Sequence, residues 1–227
     1  MNLTKVQPHS QEELQSIYSA RFSGLEDYRL QVWQILVSQF FSQWIRPDHT
    51  VLDLGCGYGE FINTVPAARK FAMDLNPATA NRLNADIHLF SQDCSQPWPL
   101  EDASLDVVFT SNFFEHLPNK QLLQATLVEA FRCLKPGGRL IALGPNSRFL
   151  PGQYWDFFDH NIALTDRSLA EVMRMSGYQI EKVIPRFLPY SMSQGTRRPL
   201  WALKVFLNVP TLWKIFGRQF LVIGRKA

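Results

Sequence analysis

The sequence predicts an α/β fold, a parallel sheet covered by helices on both faces. Three observations carry this. Short apolar runs ending in glycine or polar turn residues recur as TVLDLG, KFAMDLN, SLDVVFTSN and GRLIALGPN. Helical stretches separate several of them. The runs are apolar throughout, as strands buried on both faces are, and an alternation of strands and helices favours parallel pairing.

The elements follow in order. From Leu25 to Ile45, Tyr28, Val32, Leu36, Phe40 and Trp44 recur at helical spacing with polar Gln31, Gln34 and Ser38 between them, an amphipathic helix ahead of the core. The four runs above then read as strands, and Lys120 to Leu134 reads as a helix with Leu123, Leu127, Ala130 and Phe131 on one face. After Pro151 the rhythm changes. Thr165 to Gly177 is a short helix with its N-cap at Thr165 or Asp166 and a terminating glycine. Residues 178–184 and 219–224 read as two more strands. The stretch between them far exceeds an ordinary connection, which predicts a lid or cap. The expected division is an N-terminal helical cap over 1–46, a core over 47–184, a substrate insert over 185–217 and a final strand over 218–227.

Composition narrows the class. With 227 residues and 46% hydrophobic content the chain can bury a substantial core, as a soluble globular enzyme does. The net charge of +3 is unevenly placed: no Asp or Glu follows Glu181, whereas nine Lys or Arg lie between Lys182 and Lys226. That segment is either a solvated basic face or the part that meets something anionic, a phosphate-bearing substrate or a membrane surface. The three cysteines, Cys56, Cys94 and Cys133, lack metal-ligand spacing and are odd in number, so neither a disulfide framework nor a zinc site is indicated and no metal is expected. MNLTKVQPHSQEEL has polar residues where a secretory core should be, and the apolar PLWALKVFLNVPTLWKIF is broken by Lys204, Pro210 and Lys214. A cytoplasmic protein is the expectation.

VLDLGCGYGEF, residues 51–61, joins a strand to a helix through Gly55, Gly57 and Gly59. Glycine lets a ligand approach the backbone closely. The dinucleotide fingerprint G-x-G-x-x-G/A is not met, because Glu60 stands where its third small residue belongs. Charge argues further. A carboxylate at Asp53 would repel a pyrophosphate but suits a ligand carrying an amino group and a sulfonium; read structurally, it is a turn-forming aspartate at a strand end.

VLDLGCGYGEF resembles the first motif of class I S-adenosylmethionine-dependent methyltransferases, and three later stretches match in order. FAMDLNP places Asp74 21 residues after Asp53, at the end of the second strand. SQDCSQPWPLEDASLDVVFTSNFFEHL resembles the third and fourth motifs, and LKPGGRLIALGPN the turn and fifth strand. The resemblance covers roughly residues 48 to 150, with weaker similarity toward Ile184. It implies a Rossmann-like seven-stranded sheet with an antiparallel last strand, and S-adenosylmethionine as cofactor. In that family Asp53, Gly55, Cys56 and Gly57 run beneath the methionine and ribose, and Asp74 with Leu75 meets the ribose. Asp93 accepts from the adenine amino group, the Cys94 backbone nears the ring, and Ser111 and Asn112 follow the fourth strand. The N-terminal segment with Tyr18, Arg21, Phe22 and Tyr28 is expected to close over the cofactor, with Arg21 pairing with its carboxylate.

Methyl transfer is an in-line displacement, served by alignment and exclusion of water. A hydroxyl acceptor also needs a base near neutral pKa, and histidine is the natural one. Of five histidines, His9, His49 and His88 read as solvated. His116 follows the fourth strand directly and fits either a base or a loop cap. His160, in YWDFFDH, has Asp156 and Asp159 available to orient it and fits either a base or an ordinary loop contact. Tyr154, Trp155, Phe157 and Phe158 wall a pocket or belong to the core. The insert mixes Arg186, Arg197 and Arg198 with Tyr190, Trp201 and Phe206, which suits a phosphorylated or glycosylated acceptor, or docking on anionic lipid. Tyr154, Asp159, Tyr190 and Arg186 are the candidate acceptor contacts. Whole-chain similarity also points to bacterial methyltransferases associated with polysaccharide assembly.

These readings favour O-methylation of a small-molecule or carbohydrate- or lipid-linked acceptor. Nitrogen or carbon methylation, or a cofactor-binding regulatory protein at a membrane surface, remain alternatives. No nucleic-acid partner is expected, because the Asn/Asp-Pro-Pro-Tyr/Phe signature is absent after the fourth strand, where SNFF stands.

Overall fold

Seven strands account for the chain's organisation in the computed structural model, which describes residues 24–190 and 197–227. They are β1 (Thr50–Leu54), β2 (Arg69–Met73), β3 (Ile87–Phe90), β4 (Leu105–Ser111), β5 (Leu134–Pro145), β6 (Gln179–Ile184) and β7 (Gln219–Arg225). The helices are α1 (Glu26–Gln39), α2 (Glu60–Thr64), α3 (Lys120–Cys133), α4 (Asp166–Met175), α5 (Leu200–Asn208) and α6 (Pro210–Phe216). The strands form one sheet in the order β3-β2-β1-β4-β5-β7-β6. All neighbours are parallel except β7, which runs antiparallel to both β5 and β6.

The buried strands show why both faces must be covered. Along β4, Val107 and Phe109 enter one apolar cluster and Val108 the other, which Leu105 joins across a break in register; along β7, Leu221 and Ile223 take the first and Phe220 and Val222 the second. This is the period-two alternation of a strand with two dry faces. The first cluster is closed by α1, α2, α5 and α6, the second by α3 and α4. The N-terminal helix and the β6–β7 insert therefore share a core with the sheet.

Aromatic rings dominate the first cluster. Phe61 of α2 stacks on Phe109 at 3.7 Å, Trp33 of α1 meets Phe109 edge-on at 5.7 Å, and Phe40 lies 4.3 Å from Phe187. Trp213 of α6 closes the series at 5.2 Å from Phe187 and 5.8 Å from Phe40. Such pairs add to area burial and hold fixed geometries.

Two expectations are corrected. No strand was read at β3, which is four residues long at the sheet edge and has no fully buried residue. His88 sits on it, exposed as expected. His49, expected in solvent, is 6% exposed, and its Nδ1 accepts the Arg46 N–H at 3.2 Å. Burial lowers its pKa. The helix expected over Thr165 to Gly177 forms with Thr165 as N-cap, in a capping box with Ser168.

Position of the site follows from the strand order. The chain winds outward from β1 to β2 and β3, then returns to place β4 on the other side of β1. Loops leaving the carboxyl ends of β1 and β4 therefore diverge, and the crevice between them is where ligands bind in open α/β sheets.

Candidate active site

The glycine loop after β1 is shaped by backbone demands. Gly55 (φ 68°), Gly57 (φ 55°) and Gly59 (φ 76°) all lie in the left-handed region. A Cβ at Gly55 would meet the Phe113 ring at 2.2 Å, so the loop after β4 packs directly on the loop after β1. Asp74, at the end of β2, fixes this loop from below: one carboxylate oxygen accepts the Gly57 N–H at 2.7 Å, the other the Asn76 N–H at 2.8 Å. Thr79, fully buried, donates its hydroxyl to the Gly57 carbonyl at 2.7 Å. Sequence reasoning missed Thr79, and nothing in its surroundings marks it.

Three carboxylates converge on the loop. Asp53 is 3% exposed. Burial, then the charges of Asp74 and Glu60, push its pKa well above the ordinary carboxylate range. Asp74 is raised too, burial outweighing its backbone hydrogen bonds. Glu60, noted in the sequence only as a mismatch, opens α2 and takes the Arg29 guanidinium at 2.6 Å. Cys56 is buried, and burial with the neighbouring carboxylates raises its thiol pKa far above normal.

Farther along the crevice, Leu75 is 39% exposed beside Asp74. Asp93 is exposed, with Oδ1 accepting from the amide and hydroxyl of Ser95 at 2.8 Å each. Cys94 is buried against Thr126, its Sγ 3.3 Å from the hydroxyl. At the end of β4, Asn112 has φ 50°, its N–H reaches the Leu143 carbonyl at 2.8 Å, and its amide donates to the Ser111 hydroxyl at 3.0 Å. The buried Asn112 Oδ1 has no hydrogen-bond partner. Arg21, Tyr18, Phe22 and His9 lie outside the described residues.

His116 and His160 meet here although 44 positions separate them. The short helical turn Phe114–His116 follows β4, and residues 154–162 fold back onto it, the amides of Asn161 and Ile162 donating to the Glu115 carbonyl at 2.8 and 3.1 Å. The two imidazoles stand 5.0 Å apart, centroid to centroid. Asp159 was expected to orient His160; instead its carboxylate lies 3.1 Å from His116 Nδ1, and its carbonyl 3.0 Å from the same atom. With Nδ1–H donating to Asp159, Nε2 is the basic nitrogen, 3.9 Å from the buried Glu115 Oε1. Burial lowers the His116 pKa, but the hydrogen bond to Asp159 and the charge of Glu115 outweigh it, and the net shift is upward. His160 is 5% exposed and ringed by Tyr154, Phe157 and His116. Asp156 is exposed. Glu115, His116 and His160 bring ligand atoms within 4.8 Å of one another, a set with the chemistry to hold a divalent cation.

One acceptor contact is corrected and a second has other partners. Tyr154 is 1% exposed, its hydroxyl donating to the Ile162 carbonyl and accepting the Leu164 N–H at 3.2 Å, so it pins the histidine loop from within. Arg186 spends its guanidinium on the last turn of α6, with Nε to the Gly217 carbonyl at 3.0 Å and Nη2 to the Ile215 carbonyl at 2.7 Å. Carbonyls at a helix end lack intrahelical partners and attract such donors. Tyr190 does reach the histidine loop, edge-on to Phe157 at 5.9 Å. Trp155 and Phe158 are exposed at 57% and 93%.

The donor set fits S-adenosylmethionine. Each Asp74 oxygen keeps lone pairs beyond its backbone contact for a ribose hydroxyl, and the carboxylates of Asp53 and Asp74 favour a cationic ligand over a pyrophosphate. Comparison with known proteins agrees. A methyltransferase domain family matches residues 26–183. A probable S-adenosylmethionine-dependent methyltransferase from Mycolicibacterium smegmatis is 32% identical over 145 residues, 60% of this chain and 54% of that protein. The malonyl-[acyl-carrier protein] O-methyltransferase of Hahella chejuensis is 34% identical over 100 residues, 40% of this chain and 34% of that protein. The chain thus spans about half or less of these curated relatives. A solved SAM-dependent methyltransferase from Thermotoga maritima superposes with a TM-score of 0.67 at 18% identity, over 96% of this chain and 97% of that one, and shows the same fold. From motif order, strand order and domain match together, the chain belongs to the S-adenosylmethionine-dependent methyltransferase domain family of the class I fold.

Proposed function

We propose that this protein methylates a hydroxyl oxygen of a small-molecule or carbohydrate-type acceptor, free or lipid-linked, with His116 as base. The observation that carries the reading is the His116–Asp159 pair, a carboxylate-oriented imidazole on the loop that leaves β4 beside the glycine crevice. Bound in that crevice, S-adenosylmethionine supplies an electrophilic methyl group on a sulfonium. Asp74 orients the ribose, and Gly55 and Gly57 admit the methionine moiety against the backbone. His116 Nε2 takes the hydroxyl proton as the acceptor oxygen gains its methyl. Asp159 stabilises the imidazolium that results, and Glu115 adds negative charge on the far side. His160 and Phe157 wall the acceptor side, and the solvated arginines Arg197 and Arg198 of the insert meet anionic groups of the acceptor.

Incubating the protein with labelled cofactor and extracts of the source cell, then identifying the methylated product, tests the acceptor class. A product methylated on nitrogen or carbon would overturn the oxygen assignment. With the acceptor in hand, turnover unchanged by a chelator supports His116 as base, whereas loss restored by a divalent cation would transfer the role to an ion on Glu115, His116 and His160.

A further inference from the structure

We infer that α5 and α6 form a lipid-docking element, lying on an anionic bilayer with a hydrocarbon chain seated in the cavity behind them. A cavity of about 330 Å³ opens between α1 and the insert, walled by Val32 and Leu36 of α1, by Leu188, and by Leu203 and Phe206 of α5. Its rim carries large apolar side chains. Trp201, Val205 and Phe216 line it while remaining 68%, 48% and 54% exposed; Ile215 of α6 and Val209, which joins the two helices, are 58% and 38% exposed. Five of the twelve exposed large hydrophobics among the described residues thus fall within sixteen positions, a concentration that scattered surface residues do not show.

Charge decides the occupant. Arg198 lines the cavity, Arg197, Lys204, Lys214 and Arg218 lie in the same stretch of chain, and no acidic residue occurs after Glu181. A second copy of the chain seated there by two-fold symmetry would set these cations against each other. An anionic lipid surface neutralises them and takes up the indole and phenyl rings at headgroup depth. At nine and seven residues, α5 and α6 are too short to cross a bilayer, and among the described residues no helix is long and apolar enough to do so. They lie in the surface plane. Tyr28 receives the Arg198 N–H at 2.9 Å, and Arg29, one residue on, grips Glu60 at the glycine loop. The element therefore sits at the crevice end of α1. On the methyltransferase reading above, it would present a lipid-linked acceptor.

Cosedimentation of the full chain with phosphatidylcholine vesicles, and with equal mixtures of phosphatidylcholine and phosphatidylglycerol, tests this. Binding to the mixed vesicles alone is expected. The double variant Lys204→Glu/Lys214→Glu should weaken it at least about 25-fold, from about fivefold per cation removed. The exposed-ring variant Trp201→Ser/Phe216→Ser should abolish it. S-adenosylhomocysteine calorimetry on each variant confirms folding and separates the two readings, since its failure in the wild type would refute the cofactor assignment while leaving the lipid result standing. No cosedimentation with anionic vesicles, binding indifferent to both variants, or sedimentation without lipid through self-association would overturn the inference.

Discussion

Asp74→Ala isolates the cofactor assignment. The carboxylate accepts two backbone amides, at 2.7 and 2.8 Å, and on the cofactor assignment its remaining lone pairs would serve two ribose hydroxyls. Charge-assisted hydrogen bonds contribute about 1.5–3 kcal/mol each, so losing the ribose pair costs about 3–6 kcal/mol. That is a loss of about 10²–10⁴-fold in affinity for S-adenosylhomocysteine, read by calorimetry. The glycine loop itself should persist, because Thr79 still holds the Gly57 carbonyl. Asp74→Asn, which keeps one acceptor oxygen, should fall between variant and wild type, and Glu101→Ala on the exposed surface should match the wild type. If Asp74→Ala binds within about threefold of the wild type, the side chain does not touch the sugar and the crevice has been misassigned.

The histidine pair makes a pH-resolved prediction. His116→Gln should retain cofactor affinity and lose about 10²–10⁴-fold in turnover, the range for general-base removal. In the wild type, turnover should rise with pH through a His116 pKa above 6.5, and Asp159→Asn should move that limb to lower pH, since the carboxylate that raises it is lost; an unmoved limb would remove Asp159 from the mechanism. The same upward shift links to stability. Protonated His116 is favoured in the folded state, so its contribution is complete below 6.5 and disappears as pH climbs through the raised folded value. Asp53 acts in the same direction, beginning at lower pH. Its folded state binds a proton more tightly than the unfolded chain, so stability drops as pH rises from the ordinary carboxylate range through the raised value, and stays reduced at pH 7. Asp53→Asn should therefore raise the neutral-pH Tm by about 2–4 °C per kcal/mol regained, with no gain in acid; a lower Tm at pH 7 would contradict the burial argument. Gly55→Ala combines a strained φ of 68° with a ring contact at 2.2 Å and should cost about 2–4 kcal/mol by denaturant titration. Adding Phe113→Ala should remove its steric part alone.

What could be read from the sequence was what local chemistry determines. β1, β4 and β5 announce themselves as apolar runs because burial on both faces requires it, and β2, β6 and β7 also read as strands. β3 does not, since a four-residue edge strand needs no such run. Asp53 and Asp74 were legible because glycine spacing and strand ends set their places. The Asp159–His116 contact spans two loops 43 positions apart, and only the fold-back of residues 154–162 decides which histidine the carboxylate meets. Arg186 illustrates a different limit. An arginine among aromatics looks like an anion site, yet its five donors serve equally well for helix-end carbonyls, and composition does not distinguish the two. The Arg29–Glu60 pair joins separate helices and left no trace beyond a misplaced acidic residue.

The ring series running from Phe61 through Phe109, Phe41 and Phe40 to Phe187 and Trp213 makes the β6–β7 segment two-sided in its tolerance for change. Its inward half is a joint of the scaffold, and an engineer exchanging this stretch must keep an indole or equivalent bulk at 213 or open a void beside Phe40 and Phe187. Its outward half carries no such debt. Residues can be exchanged there, one surface position at a time, without disturbing that ring packing.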